Sequence, residues 1–168
     1  MAVGILSQKK AIYVVSAEML VAMEHIQGIS SLAEHIHVPV EDLLVPCVFC
    51  GNFLDLRDLL DFDKKCLQLT WKKGFPHGTC SKCAREVSEK ECKLFTEAVL
   101  TASGFFCEID GGLSGVNVRC RLCLKLLNLG EKEEAVSRGE RFFRVRRRWR
   151  ARCRACIKSD NDWEGCHT

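Results

Sequence analysis

The sequence predicts an α+β fold made of two copies of one small domain. Three observations predict it. The first is a repeated cysteine spacing. Eight of the 12 cysteines fall in four C-x2-C pairs, and each pair recurs 73 positions later, Cys47 to Cys120 and Cys80 to Cys153. The pattern C-x2-C-x29-C-x2-C therefore occurs twice, which marks an internal duplication. The second is length: 168 residues make one ordinary domain or two small ones. The third is that short helical and strand-like patterns alternate between the pairs. Val45, Leu54 and Leu56 match Val118, Leu127 and Leu129 at the same offset.

The cysteine pairs carry the first chemical inference. Lys9 and Lys10 precede an apolar run from Ala11 to Met23, but Ser16 and Glu18 break it and no small-residue cleavage pattern follows. No stretch approaches the length of a membrane span. A reducing nuclear or cytosolic setting is the expectation, and disulfides are rare there. Paired C-x2-C knuckles in that setting point to zinc. The expected quartets are Cys47, Cys50, Cys80 and Cys83, then Cys120, Cys123, Cys153 and Cys156. Four thiolates leave no open ligand position, so two structural Zn(2+) ions are predicted rather than a catalytic one. Cross-bracing of the ligands is disfavoured, because the long spacer lies inside each quartet. His77 is read as a turn residue, and Cys66, Cys92, Cys107 and Cys166 as non-ligand thiols.

The elements follow in order. Residues 1–29 lack clear periodicity and read as an N-terminal extension. Ser31-Leu32-Ala33-Glu34 has the capping-box pattern of a helix start. Pro39, Glu41 and Asp42 suit another first turn, with Leu43 and Leu44 inward. Phe53–Leu54 is a short strand. Asp55–Phe62 puts Leu56, Leu59 and Leu60 on one helical face. That face contains the string Leu56-Arg57-Asp58-Leu59-Leu60, an LxxLL pattern read as a buried face. Leu67–Trp71 alternates like a strand. A long helix is expected over Ser81–Leu100, with Val87, Leu94, Phe95, Val99 and Leu100 as its apolar side.

Residues 101–115, with four glycines, read as the interdomain connection. Residues 30–100 are thus the first zinc domain plus a linker helix, 116–158 the second, and 159–168 a tail. Within the second, Leu124–Leu129 and Phe142–Val145 are expected strands around a charged helix near Glu131–Ser137.

Charge is concentrated. Arg138–Lys158 holds nine Arg and one Lys against one Glu, a net +9, so the formal +3 leaves the remainder at −6. Phe142, Phe143 and Trp149 interleave with the stripe. Three readings stay open: nucleic-acid binding, balance of thiolate charge, and recognition of an acidic peptide by guanidinium forks. Weak nonspecific nucleic-acid affinity fits all three. No Ser/His/Asp set, phosphate loop or open metal site suggests an enzyme.

The doubled array resembles that of papillomavirus early protein six, a small viral transforming protein. The words that carry the resemblance are Val38-Pro39 through Leu43-Leu44-Val45-Pro46-Cys47, Asp61-Phe62-Asp63-Lys64-Lys65, Leu67-Gln68-Leu69-Thr70-Trp71, Val118-Arg119-Cys120-Arg121-Leu122-Cys123 and Arg141-Phe142-Phe143-Arg144-Val145-Arg146-Arg147-Arg148-Trp149. It covers about Leu32 to Lys158. It implies a non-catalytic adaptor of two zinc domains joined by a helix, with a pocket that takes a short acidic LxxLL helix from a host protein. It implies an apolar trough at Leu67, Thr70 and Val87, and an arginine clamp at Arg119 and Arg148 with Arg146 nearby. Val87 and Thr70 stand where some members carry Tyr and Val. The implied partners are a HECT-type ubiquitin ligase, redirected to proteins such as pro-apoptotic Bak, or a Mastermind-type coactivator of Notch signalling. Cutaneous-type members favour the latter. The implied setting is the host nucleus and cytoplasm. Homodimer formation stays open. The terminal Gly165-Cys166-His167-Thr168 lacks the hydrophobic end that a PDZ domain requires. A zinc-dependent nucleic-acid regulator using residues 138–158 is the alternative function.

Overall fold

A computed structural model describes residues 25–157. The chain divides into two compact units, with the division between Cys83 and Ala84. The first unit contains α1 (Ile29–Ile36), a 3-10 turn (Val40–Asp42), α2 (Leu56–Lys64) and the hairpin β1 (Thr70–Lys72) and β2 (Phe75–His77). Helix α3 (Ser81–Phe95) crosses the division. The second unit continues with β3 (Thr96–Leu100), α4 (Ala102–Glu108), α5 (Gly112–Gly115), β4 (Val118–Cys120), α6 (Leu129–Ser137), β5 (Phe142–Val145) and β6 (Arg148–Ala151). No helix among the described residues is long and apolar enough to cross a membrane.

The duplication written in the cysteines extends to the backbone. Leu54 N–H donates to Val45 O at 2.9 Å, and Leu127 N–H to Val118 O at 2.8 Å. Cys47 N–H donates to Asn52 O, and Cys120 N–H to Lys125 O, again 73 residues on. Asp55 caps α2 by accepting from Asp58 N–H, and Asn128 caps α6 by accepting from Glu131 N–H in a full capping box. A cap oxygen satisfies an otherwise orphaned donor of the first turn, so both helices begin at the matching residue. Hairpin β1–β2 corresponds to β5–β6.

Several expectations need correction. Helix α1 begins at Ile29, two residues before the expected capping box. Its first amides, Ile29 and Ser30, each donate at 2.8 Å to the carboxylate of Asp63, 34 and 33 residues away. Ile26 and Ile29 are buried, and Trp71 Nε1 donates to Ile26 O, so the end of the supposed extension belongs to the first unit's core. Asp63→Ala is expected to cost about 1 kcal/mol by removing the cap. Denaturant titration reads that loss, and an unchanged midpoint would show that the remote carboxylate is dispensable.

Helix α2 buries Leu59 and Phe62, one turn apart, whereas Leu56 and Leu60 are each 49% exposed. The LxxLL string is therefore only partly an inward face. Only Phe53 of the expected Phe53–Leu54 strand makes an isolated bridge, to Pro46. Helix α3 stops at Phe95 rather than Leu100. Thr96–Leu100 instead pairs antiparallel with β5, and the Thr96 hydroxyl donates back to Cys92 O at the helix end. The inward residues of α3 are Cys83, Ala84 and Ser88, while Leu94 and Phe95 are exposed.

The second unit's sheet has the order β3-β5-β6-β4, antiparallel except for the parallel pair β4–β6. Leu124–Leu129 forms no strand, only a bridge from Leu126 to Arg119. Residues 101–115 were expected to be a bare connection between domains. They lie inside the second unit, and α4 delivers Phe105, with 0% exposure, to its core. The Phe105 ring stacks on Phe142 at 4.1 Å and meets Trp149 edge-on at 4.8 Å. Such geometries suit the ring quadrupole.

Candidate metal centres and the arginine face

Each cysteine quartet closes into one cluster. The sulfurs of Cys47, Cys50, Cys80 and Cys83 lie within 4.8 Å of one another, as do those of Cys120, Cys123, Cys153 and Cys156. Tetrahedral ligands at about 2.3 Å from an ion stand about 3.8 Å apart. Cys50 Sγ and Cys80 Sγ are 4.0 Å apart, and Cys123 Sγ and Cys153 Sγ are 3.7 Å apart. The donor sets therefore fit a soft divalent ion with four protein ligands.

The knuckles form because backbone turns aim the thiols and stabilise their charge. Gly51, at φ +75°, closes the first turn through its N–H to Cys47 O, and Leu124, at φ +63°, closes the third in the same way. The two knuckles of the first cluster are tied by Val48 N–H to Gly78 O at 2.8 Å. A Cβ on Gly78 would come within 2.8 Å of Leu54 Cδ2 and 3.3 Å of Phe62 Cε2, so a larger residue there has to displace those side chains. In the second cluster Arg121 N–H to Ala151 O makes the same tie.

Burial disfavours the Cys47 thiolate, but amide donors from Cys50, Cys80 and Phe49 outweigh it and bring the thiol down to about 6. Hydrogen bonds from Cys123, Cys153 and Cys156 hold the Cys120 thiol far below its usual range. Within each cluster some thiols are drawn toward the anion while others, Cys83 and Cys156 among them, are pushed up, and metal binding displaces the protons that remain. His77 lies outside both clusters, with Nδ1 3.0 Å from Phe75 O. Cys92 is half-buried and its thiol is pushed up by burial. Cys66 and Cys107 are exposed, and Cys166 lies outside the described residues.

Part of the basic stripe is spoken for. Arg144 pairs with Glu108 at 2.6 Å and Glu97 at 3.3 Å, Arg150 with Glu91 at 3.0 Å, Arg152 with Glu140 at 2.6 Å, and Arg154 with Glu134. Arg150 is only 5% exposed, which a phosphate backbone could not reach. Four of the nine arginines in the stripe are thus paired internally, one of them with Glu140 of the stripe itself.

The expected peptide residues divide between the units. Leu67, half-buried against the core, and Thr70, exposed on β1, belong to the first. Val87, half-buried on α3, belongs to the second with the arginines. Arg119 and Arg148 are brought together on the wall of a cavity of about 490 Å³ within the second unit. Arg119 is aimed by its Nη1 bond to Leu124 O at 2.9 Å. Arg146 is not on that wall. Its guanidinium sits 3.7 Å over the Phe95 ring. The sequence reading missed Arg147, Trp149, Arg150 and the residues 108–110 and 115–117 that complete the cavity. The signal for Arg147 was faint, because an Arg-Arg turn lacks the Asn-Gly word that announces a hairpin.

Two duplicated units, each closing a four-cysteine cluster that fits a metal ion, and an arginine-walled cavity in the second define a small protein of paired zinc-binding domains. Residues 47–156 match the family Early Protein (E6). Similar proteins include Protein E6 of Mastomys natalensis papillomavirus, 38% identical over 128 residues, covering 76% of this chain and 95% of that protein. Protein E6 of Human papillomavirus 38 is 41% identical over 133 residues, covering 77% and 93%. Protein E6 of Human papillomavirus 24 is 40% identical over 133 residues, with the same coverage. The chain belongs to the papillomavirus E6 family.

Proposed function

We propose that this protein is a non-catalytic viral adaptor that captures acidic LxxLL helices of host proteins. Its cofactors are two structural zinc ions, one in each cysteine cluster, and its setting is the host nucleus and cytoplasm. Arg119 and Arg148 hold the acidic residues of the bound helix while Leu67, Thr70 and Val87 meet its leucines. Leucine anchors supply affinity by burial, and the guanidinium groups supply register and selectivity. The partner is a HECT-type ubiquitin ligase, redirected toward proteins such as Bak, or a Mastermind-type coactivator whose Notch signalling is repressed. Blocked apoptosis, blocked differentiation and transformation follow from either branch.

The observation that carries this reading is the cavity walled by Arg119 and Arg148, whose open guanidinium at Arg148 has no ion-pair partner among the described residues. A nucleic-acid role is less favoured, because four of the arginines in the stripe already pair with carboxylates. Arg148→Glu is expected to weaken capture of an acidic LxxLL peptide by at least about tenfold, while metal content stays at two per chain. Calorimetry with metal analysis checks both. Unchanged affinity rejects the clamp. Affinity capture from host cells then separates the ligase branch from the coactivator branch.

A further inference from the structure

The turn between β5 and β6 carries an unresolved tension. It consists of two residues, Arg146 and Arg147, closed by the pair Val145 and Arg148. Both turn residues have positive φ, +47° and +60°. A two-residue hairpin turn of this kind asks for left-handed backbone at both positions, and side chains with a Cβ disfavour it. The protein holds its own comparison. The corresponding turn of the first unit, 73 residues earlier, is Lys73-Gly74, with φ +51° and +79°. The first copy meets the demand at the second position with glycine, and the second copy carries arginine.

For Arg146 the structure supplies a compensation, since its guanidinium packs on Phe95 and its N–H reaches Phe95 O. The backbone of Arg147 is fixed by its N–H to Glu97 Oε1 at 3.2 Å. Its side chain has no compensation. It is exposed and makes no hydrogen bond or ion pair among the described residues. It stands on the cavity wall beside Arg119, Arg148 and Trp149. Strain held where the surroundings fix it, with a side chain delivered to a cavity, points to a ligand.

We propose that Arg147 is a further specificity-determining residue, which makes the cavity select peptides that carry a second acidic residue beside the first. The inference rests on the acidic-peptide reading above. Of the wall's two carboxylates, Glu108 is occupied by Arg144, which leaves Asp110 on the same wall as the open guanidinium groups of Arg147 and Arg148. That balance suits a short run of carboxylates better than a continuous polyanion.

The test uses the zinc-loaded full chain and two synthetic probes, an LxxLL peptide flanked by two glutamates and the same peptide with one of them changed to glutamine. Arg147→Gly restores the residue of the first copy. It is expected to weaken the two-glutamate peptide about three- to fivefold, to leave the one-glutamate peptide unchanged, and to leave the melting temperature unchanged or higher. Arg141→Asn, which removes the same charge outside the cavity, is expected to leave both peptides unchanged. Arg147→Asn tolerates the same backbone angle and repeats the test if glycine loosens the turn. Equal affinities in wild type and both Arg147 variants overturn the proposal. So does an equal loss in Arg141→Asn, which would reduce the effect to net charge. Wild type that binds neither peptide rejects the underlying function and takes this inference with it. Duplex DNA that displaces the peptide at physiological salt only when Arg147 is present would reassign the turn to nucleic acid and likewise overturn it.

Discussion

Stripping the metal with a strong chelator is expected to unfold both units, the first cluster releasing its ion sooner than the second. Binding of a structural zinc contributes on the order of 10 kcal/mol to folding. That equals or exceeds the whole stability of a typical small domain. Without the ion, four thiols meet at each site with sulfurs as close as 3.7 Å, and mutual repulsion keeps them from ionising together. The order of release follows from burial. Cys120 and Cys153 are fully buried and Cys156 nearly so, whereas Cys50 of the first cluster is exposed to attack by the chelator. Two-phase metal release, with circular dichroism lost in step, is the expected record. Retained secondary structure after complete removal, or one ion per chain at the start, would sink the argument that each unit depends on its own metal.

The reason these sites were legible in the sequence is that metal geometry is written locally. A C-x2-C turn brings two sulfurs together whatever the remainder does, and a repeat of 73 residues is visible by counting. The helix start at Asp55 is nearly as legible, because a cap and its donor lie three residues apart, whereas the equivalent cap Asn128 falls inside the expected strand Leu124–Leu129. What sequence could not give was non-local. The cap of α1 comes from Asp63, more than thirty residues away, so a local capping box at Ser31 was the wrong signal. The end of α3 was hidden because Thr96–Leu100 continues an apolar pattern that serves a helix or a strand equally. Pairing with β5 decided it. The arginine stripe misled in the opposite sense. Its charge was legible, but its partners Glu91, Glu97 and Glu108 lie 36 to 59 residues away along the chain. Folding paired four arginines of a stripe that looked like an interface, and left Arg147 and Arg148 open on one cavity wall.

The segment 101–115 was misread most completely, and its substitution carries the second large effect. Four glycines in fifteen residues suggested a connection, yet α4 buries Phe105 between Phe142 and Trp149. The Thr101 hydroxyl caps this helix by accepting from Gly104 N–H, which shows why a glycine-rich stretch still turns helical here. Phe105→Ala is expected to destabilise the second unit by about 3–5 kcal/mol, from lost transfer energy plus the cavity left by the ring. Much of a small domain's stability is at stake. The effect should be local. Amide exchange should quicken across β4, β5 and β6, while α1 and α2 keep their protection. Trp149 reports the change directly, because it loses its edge-on ring, whereas Trp71 in the first unit keeps its bond to Ile26 O. A cost under about 1 kcal/mol would place Phe105 among surface residues. It would return residues 101–115 to the status of a linker, and the second unit would then need another source for the core that closes around its metal cluster.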